Sequence, residues 1–571
     1  MNLSKRSASD HQSQELRLWP GIVLLALQLT IRFLLPLINP NLMMFAIFGG
    51  LFGGLALAIW WLFFSRDSRV NRWGAIFLMI ASLFITSFFI DESIAKANMG
   101  LMFIIHSIPV MSVAFVSWSV ITRHLKPFTR RITMIATILV ASGLWIFIRT
   151  NGMTGDARQY LGWRWAKTSE EKLLAQSGSD TINNIISESN MPASPVWPGF
   201  RGPERNGIVR GVRINPGWAS SLPVEMWRKP VGPGCGSFAV MGNFFYTQEQ
   251  RGEYEEVSCY NIVTGKPVWK HSDRARFYEP HAGAGPRSTP SISGRLVFTL
   301  GSTGILNALN AGDGKVKWSK NAAADAGIKE PGWGFSGSPL VIGTVVIASI
   351  SGKLAAYDTL DGKPRWYGPD GGSSYSSPQV FSISGIPQIV FMSDSGAISL
   401  EPESGTTLWE YKWKSEGRIL QPSSIIEGDF LITGENKSIR RVSISNENGK
   451  WKIKDLWNSF EIKAYFNDFV VSKGYAYGFD GPTMTCIDLK DGKRMWRGSR
   501  YRGFQVLIAD QDLIVVLTEK GELALVSSNP EKFQELSRFQ ALKGKTWSHP
   551  VIAGNILLVR NAQEMAAFRL N

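Results

Sequence analysis

At 571 residues the chain is too long for one ordinary domain, and its 44% apolar content is uneven: residues 18–150 are dense in Leu, Ile, Phe, Met and Val, while the chain after 195 is rich in Gly, Ser and Trp. The net charge of +15 divides the same way, with 13 Lys/Arg against 5 Asp/Glu in residues 1–150 and no Lys/Arg block in the other 421 residues, which carry only +7; this argues against a nucleic-acid partner. Three cysteines, Cys235, Cys259 and Cys486, exclude a disulfide framework or a Cys/His zinc site, and Cys259 and Cys486 read as small core residues.

Five apolar runs follow the N-terminal tail (1–17), at about 18–38, 42–64, 73–90, 99–121 and 132–149. Each is long enough, at roughly 18–23 residues, to cross a ~30 Å hydrocarbon core as a helix. The first is too long for a cleavable signal, and no small-residue cleavage site precedes the second. Positive residues alternate between loops. Lys5, Arg6 and Arg17 lie in the tail, Arg66, Arg69 and Arg72 in the second loop, and Arg123, Lys126, Arg130 and Arg131 in the fourth. The intervening loops hold only Lys96. Lys and Arg stay on the cytoplasmic side, so the pattern predicts a multi-pass protein of the bacterial inner membrane, with the N-terminus inside and everything after about 150 outside. Arg32, within the first run, is expected to snorkel to the outer interface, with pairing to Asp91 or Glu92 as the alternative. His106, in the fourth run, reads as a satisfied bundle residue, with lining of a ligand site as the alternative.

Residues 151–196 read as an interfacial helix and a linker. The stretch GDARQYLGWRWAKTSEEKLLAQ is expected to form a short helix with Trp163 and Trp165 at the membrane interface. Within it, TSEE (168–171) has the form of a capping box, Thr168 as cap and Glu171 three residues on.

From 197 onward one phrase returns: CYNIVTGKPVW (259–269), ALNAGDGKVKW (308–318), AYDTLDGKPRW (356–366) and CIDLKDGKRMW (486–496). Gly-Lys after an acid, amide or Thr is turn chemistry, because Gly takes backbone angles that other residues resist. The flanking segments run apolar or alternate over 4–8 residues, as strands do. The aromatic at the end of the phrase falls at Trp227, Trp269, Trp318, Trp366, Trp409, Trp457, Trp496 and Phe539, spaced 39 to 49 residues apart. That period with short strands predicts four-stranded propeller blades, and eight positions predict eight blades. The last segment, from Trp547, has about three strands, while PVEMWRKPV (223–231) has a Trp-bearing strand and no blade of its own. Pairing them closes the ring and hides two sheet edges. Each Trp is expected to pack on the adjacent blade. The predicted architecture is an N-terminal α-helical membrane domain of five spans (18–150) plus an all-β eight-bladed propeller (197–571).

The phrase resembles the repeat of the pyrroloquinoline-quinone (PQQ) propellers, whose consensus runs Ala-x-Asp-x-x-Thr-Gly-Lys-x-x-Trp. Cys259, Asn261, Thr264, Gly265, Lys266 and Trp269 match it, as do Ala356, Asp358, Gly362, Lys363 and Trp366, and Cys486, Asp488, Gly492, Lys493 and Trp496. Blade five, around RVSISNENGKWKIKDLW, departs from it. The opening WPGFRGPERNG (197–207) resembles the start of many exported bacterial propellers of this family. The five spans plus propeller are similar in layout to membrane-bound quinoprotein glucose dehydrogenases, and the repeat type is that of the outer-membrane-assembly scaffolds. This propeller is shorter than the dehydrogenases', with no adjacent Cys-Cys pair and no recognisable Glu/Asn/Asp set for calcium and a general base. The resemblance therefore implies a cofactor-free binding or scaffold module in the cell envelope, with membrane lipid and envelope proteins as partners. The alternative it implies is a PQQ- and Ca²⁺-dependent oxidoreductase passing electrons to membrane quinone.

The loops before the inner strands carry Ser288-Thr289-Pro290, Ser338-Pro339, Ser377-Pro378, Gln421-Pro422 and His549-Pro550, and should converge on the central channel. Pro at the start of a strand is also ordinary punctuation. Around these loops, Arg287, Trp333, Tyr375, Gln421, Asn467, Trp547 and His549, with Tyr278, His281 and Gln505 nearby, form a candidate pocket for a polar, planar or anionic molecule. Asp468 is the candidate catalytic base. One Asp and one Asn would hold Ca²⁺ weakly, since that ion takes 6–8 oxygen ligands.

Overall fold

The computed structural model describes residues 17–39, 42–155, 158–176, 186, 192, 194–413, 423–426, 428–433, 438–463 and 466–570. They form two compact units, one up to Ala166 together with Glu279–Ala282, the other from Lys167 to Tyr278 and from Gly283 onward.

The first unit holds five helices long and apolar enough to cross a membrane: Trp19–Ile38, Met43–Phe64, Arg69–Ser87, Met102–His124 and Pro127–Phe147. Their shared core is aromatic. Trp61 meets Phe115 edge-on at 4.7 Å and Trp118 at 6.0 Å, over Leu57, Ala75, Met111 and Ile138. The first two helices each contain a π-helical turn, Thr30–Leu34 and Trp60–Phe64. Arg32 departs from expectation. It is buried, so it does not snorkel, and neither anticipated acid reaches it: Asp91 pairs with Arg164 at 3.4 Å, and Glu92 with Lys96. Room for it comes from Gly50, where a Cβ would stand 3.0 Å from Arg32 Cδ.

The expected interfacial helix is replaced in its first half by a hairpin, Ile148–Met153 with Gln159–Trp163. Thr150, Tyr160 and Trp163 favour strands, and Gly152 takes φ of 111° at a register irregularity. Trp163 and Trp165 stack at 4.9 Å. In the second unit, helix Ser169–Gln176 opens on a capping box: Glu171 N–H donates to Thr168 Oγ1 (3.0 Å) and Thr168 N–H to the Glu171 carboxylate (2.6 Å).

The rest of that unit is an eight-bladed propeller. Blades 1 to 8 span 239–273, 291–321, 340–367, 379–412, 423–459, 470–500, 504–540 and 551–569, each an antiparallel meander in chain order. Blade 8 takes its outer strand from Val224–Pro230, which pairs with Glu564–Arg569 and sets Trp227 opposite Ala567. Blade 7 gains a fifth strand, Ile208–Val209, parallel to its first.

The repeated phrase is a latch between blades. The indole N–H of each Trp donates to a carbonyl in the turn of the next blade: Trp227 to Ile262, Trp269 to Ala311, Trp318 to Thr359, Trp366 to Pro402, Trp457 to Leu489 and Trp496 to Asn529, all at 2.8–3.0 Å. In all of these but the Trp496 latch, the Gly of that turn lies flat on the same ring, so Gly is needed twice: for its left-handed angle and for its missing Cβ. At Gly362, φ is +70°, and a Cβ would sit 2.6 Å from Trp318 Cδ2. Gly362→Ala is expected to cost roughly 2 kcal/mol from the left-handed conformation and the displaced ring, read as a lowered propeller melting temperature; an unchanged melt would sink the latch. Where the repeat departs, the latch changes. Trp409 bonds Gln388 Oε1 in its own blade, and Phe539, with no N–H, packs edge-on against Trp218 and Phe568.

Candidate functional site

Except in blade 7, where Ile208–Val209 adds to it, the first strand of each blade pairs on one side only, and its other edge faces the central axis. Hydroxyl side chains tie these strands into a belt. Ser237 Oγ donates to His549 O (2.6 Å), Ser237 N–H to Thr289 Oγ1 (3.0 Å), Thr289 N–H to Ser338 Oγ (2.9 Å) and Ser338 N–H to Ser377 Oγ (2.9 Å). The Ser-Pro loops thus work sideways: Pro starts the strand, and the neighbouring hydroxyl joins blades 8, 1, 2, 3 and 4.

Residues 197–209 cross this ring from within. Trp197 bridges Val240 of blade 1, and Ile292 N–H of blade 2 donates to Pro198 O at 2.7 Å. Gly199 comes so near blade 2 that a Cβ would lie 2.8 Å from Pro290 O. Arg205 donates to Ser338 O and Pro339 O of blade 3 (3.0 and 2.9 Å), and Arg201 to Phe469 O of blade 6 (2.6 Å). Leu507 N–H of blade 7 then donates to Gly207 O at 2.8 Å, where the segment joins that blade's edge. Both arginines hold left-handed backbone angles, φ 59° at Arg201 and 53° at Arg205, a strain that the surrounding bonds enforce.

Asp468 is where this segment is keyed to the ring. It is buried at the start of blade 6, and one carboxylate oxygen stands 2.8 Å from His549 Nε2 and 3.5 Å from Arg201 Nε. The His549 ring lies between Phe504 (4.2 Å) and Phe200 (5.1 Å). Burial holds the Arg201 guanidinium below its usual range, against the opposing pull of Asp468. Burial, with the like charge of Arg201, pushes Arg205 down to about 9.

Of the residues singled out from sequence, Asp468, Asn467, His549 and Gln505 come together here. Asn467 donates to Gly503 O (2.6 Å) and Gln505 to Tyr477 O (2.6 Å), so both amides brace the loop. The others fall into separate groups. Trp547 donates to Glu519 (2.7 Å) with Lys545 over its ring; Arg287 caps Gly283 O (2.6 Å) and lies over Phe277; Trp333 packs on Tyr375 (5.2 Å) and Phe466 (5.5 Å). His281 bonds Glu279 and belongs to the first compact unit, while Tyr278 belongs to the second. Gln421 lies outside the described residues. Sequence reasoning missed Phe200, Arg201 and Arg205. Their signal is the non-repeating, Gly- and Arg-rich WPGFRGPERNG, which carries no repeat position to place it in the ring.

This arrangement does not fit PQQ with Ca²⁺. Asp468 is engaged by a cation of its own chain, Arg201, and by His549. Among the described residues no group of three or more His, Cys, Asp or Glu side chains is placed to hold a metal.

A family-wide sequence profile, that of outer membrane protein assembly factor BamB, matches residues 217–376 and 326–534. The chain is 24% identical over 328 residues to outer membrane protein assembly factor BamB of Yersinia pestis, covering 54% of this chain and 71% of that one. To its counterpart in Escherichia coli (strain K12) it is 27% identical over 268 residues, covering 41% and 64%. Among solved structures, a europium-containing methanol dehydrogenase superposes with a TM-score of 0.51 at 12% identity, covering 67% of this chain and 99% of that one, a likeness of fold alone.

Proposed function

Since the chain belongs to the family of outer membrane protein assembly factor BamB, we propose that its propeller is a cofactor-free binding module, held in the bacterial cell envelope by its five-helix unit and presenting its blades to envelope proteins. The observation that carries this reading is the 197–209 segment: a channel occupied by the chain's own arginines and glycines leaves the outer surface of the ring for partners. The test is calorimetric titration of the purified chain with PQQ and Ca²⁺. No heat of binding is expected. Micromolar or tighter binding that requires Ca²⁺ and disappears in Asp468→Ala would overturn the scaffold and favour a quinoprotein dehydrogenase with Asp468 as base.

The same proposal sets the topology. The loop charges orient the helices with the N-terminus in the cytoplasm and the propeller in the periplasm. Alkaline phosphatase fused after residue 196 should be active, and fused within the 122–131 loop it should be inactive. The reverse pair would refute the orientation.

A further inference from the structure

Several buried polar atoms of the five-helix unit have no hydrogen-bond partner, and those on its first and fourth helices are Gln28 Oε1, Arg32 Nε and Ser107 Oγ. They are 1%, 8% and 1% exposed. The Gln28 amide donates to Gly50 O at 2.7 Å, and the stem of Arg32 rests on the same Gly50. One turn on, a Cβ at Gly54 would meet Ile108, the neighbour of Ser107, and stand 3.6 Å from Gln28 Nε2. The first, second and fourth helices therefore meet around Gly50 and Gly54, and each of the first and fourth brings polar groups with unused bonds.

Arg32 forms no ion pair among the described residues. The acids of the helical stretch are engaged elsewhere: Asp67 by Arg130 at 2.9 Å, Asp91 by Arg164 and Glu92 by Lys96. An uncompensated guanidinium in an apolar interior is costly. A neutral carbonyl would accept one of its hydrogen bonds and leave the charge; an anion answers both. Arg32 lies six residues before the helix end at Ile38, about 9 Å along the axis at the usual rise. That is within reach of a headgroup drawn slightly into the bilayer.

We propose that this site takes the phosphate of an anionic membrane lipid bearing a headgroup hydroxyl. Arg32 and the Ser107 hydroxyl donate to the phosphate oxygens, and Gln28 Oε1 accepts from the headgroup hydroxyl. The proposal rests on the membrane reading of the five helices. That reading fails separately, if the chain leaves the membrane fraction in an alkaline carbonate wash.

The full chain is reconstituted in nanodiscs of phosphatidylcholine with or without phosphatidylglycerol, and retained lipid is counted by native mass spectrometry after transfer to detergent. Wild type should retain one phosphatidylglycerol, raise its melting temperature, and bind that lipid at least tenfold more tightly than phosphatidylcholine. Inorganic phosphate at the same concentration should do neither, which separates a lipid from a free ion. Arg32→Gln should abolish the preference, whereas Arg164→Gln should keep it. If Arg32→Gln does not fold, the Gln28→Leu/Ser107→Ala variant is read instead, and lost retention is expected. Equal retention of both lipids, retention unchanged in these variants, or stabilisation by a neutral quinone analogue in place of the lipid would overturn the proposal.

Discussion

Without Val224–Pro230, the propeller should no longer melt as one unit. That strand completes blade 8 from the other end of the domain, pairing with Glu564–Arg569 along its length. Its removal exposes the edge of blade 8 and cuts the latch to blade 1 made by the Trp227 indole and Ile262 O. Gly265 of blade 1 loses the ring on which it lies. A buried Trp removes about 150–250 Å² from water, worth roughly 4–6 kcal/mol at ~25 cal/mol per Å². Trp227→Ala alone should therefore cost about 3–5 kcal/mol, a large fraction of the 5–15 kcal/mol typical of a folded domain. Calorimetry of the deletion variant should show a broad transition at lower temperature or none. A sharp transition at the wild-type temperature would mean that the ring does not depend on this closure.

The second large effect is expected at Asp468. Asp468→Ala leaves the buried Arg201 guanidinium without its carboxylate, and breaking one side of a buried pair typically costs about 3–5 kcal/mol. Arg201→Ala should cost a similar amount for the mirror reason. The double variant should be less harmful than the two singles summed, because each single already removes the pair. Chemical denaturation of the four proteins measures the coupling. Additive losses below about 1 kcal/mol each would show that the 197–209 segment lies in the ring without being keyed to it.

Repetition is what made the ring legible. Trp227, Trp269 and their successors recur because each blade poses the same packing problem, so one chain carries several copies of the same signal. The Gly-Lys turn was readable as a turn, but its second role, lying flat on the preceding Trp, needs a neighbour that only the fold supplies. Asp468 could be singled out as an acid beside an inner strand, and His549 likewise. Their connection to Arg201 was hidden because the segment that brings it occurs once, and Arg201 reaches blade 6 across 268 residues. The burial of Arg32 was hidden for a related reason. Snorkelling follows from hydropathy along one helix, while burial follows from Gly50 on another. The hairpin at 148–163 was hidden because Trp163 and Trp165 suit a membrane interface as well as a strand, and the TSEE cap belongs to the helix that follows.

The strand exchange in blade 8 also has a cost in time. Val224–Pro230 leaves the ribosome about 330 residues before the strand it must pair with. At the usual 5–20 residues per second of synthesis, its edge waits roughly 20–70 s. During that interval an unpaired, Trp-bearing strand is open to any other nascent edge. Overcrowded expression should therefore trap this chain as aggregates seeded by this early strand, and slowing initiation should rescue it more than slowing elongation.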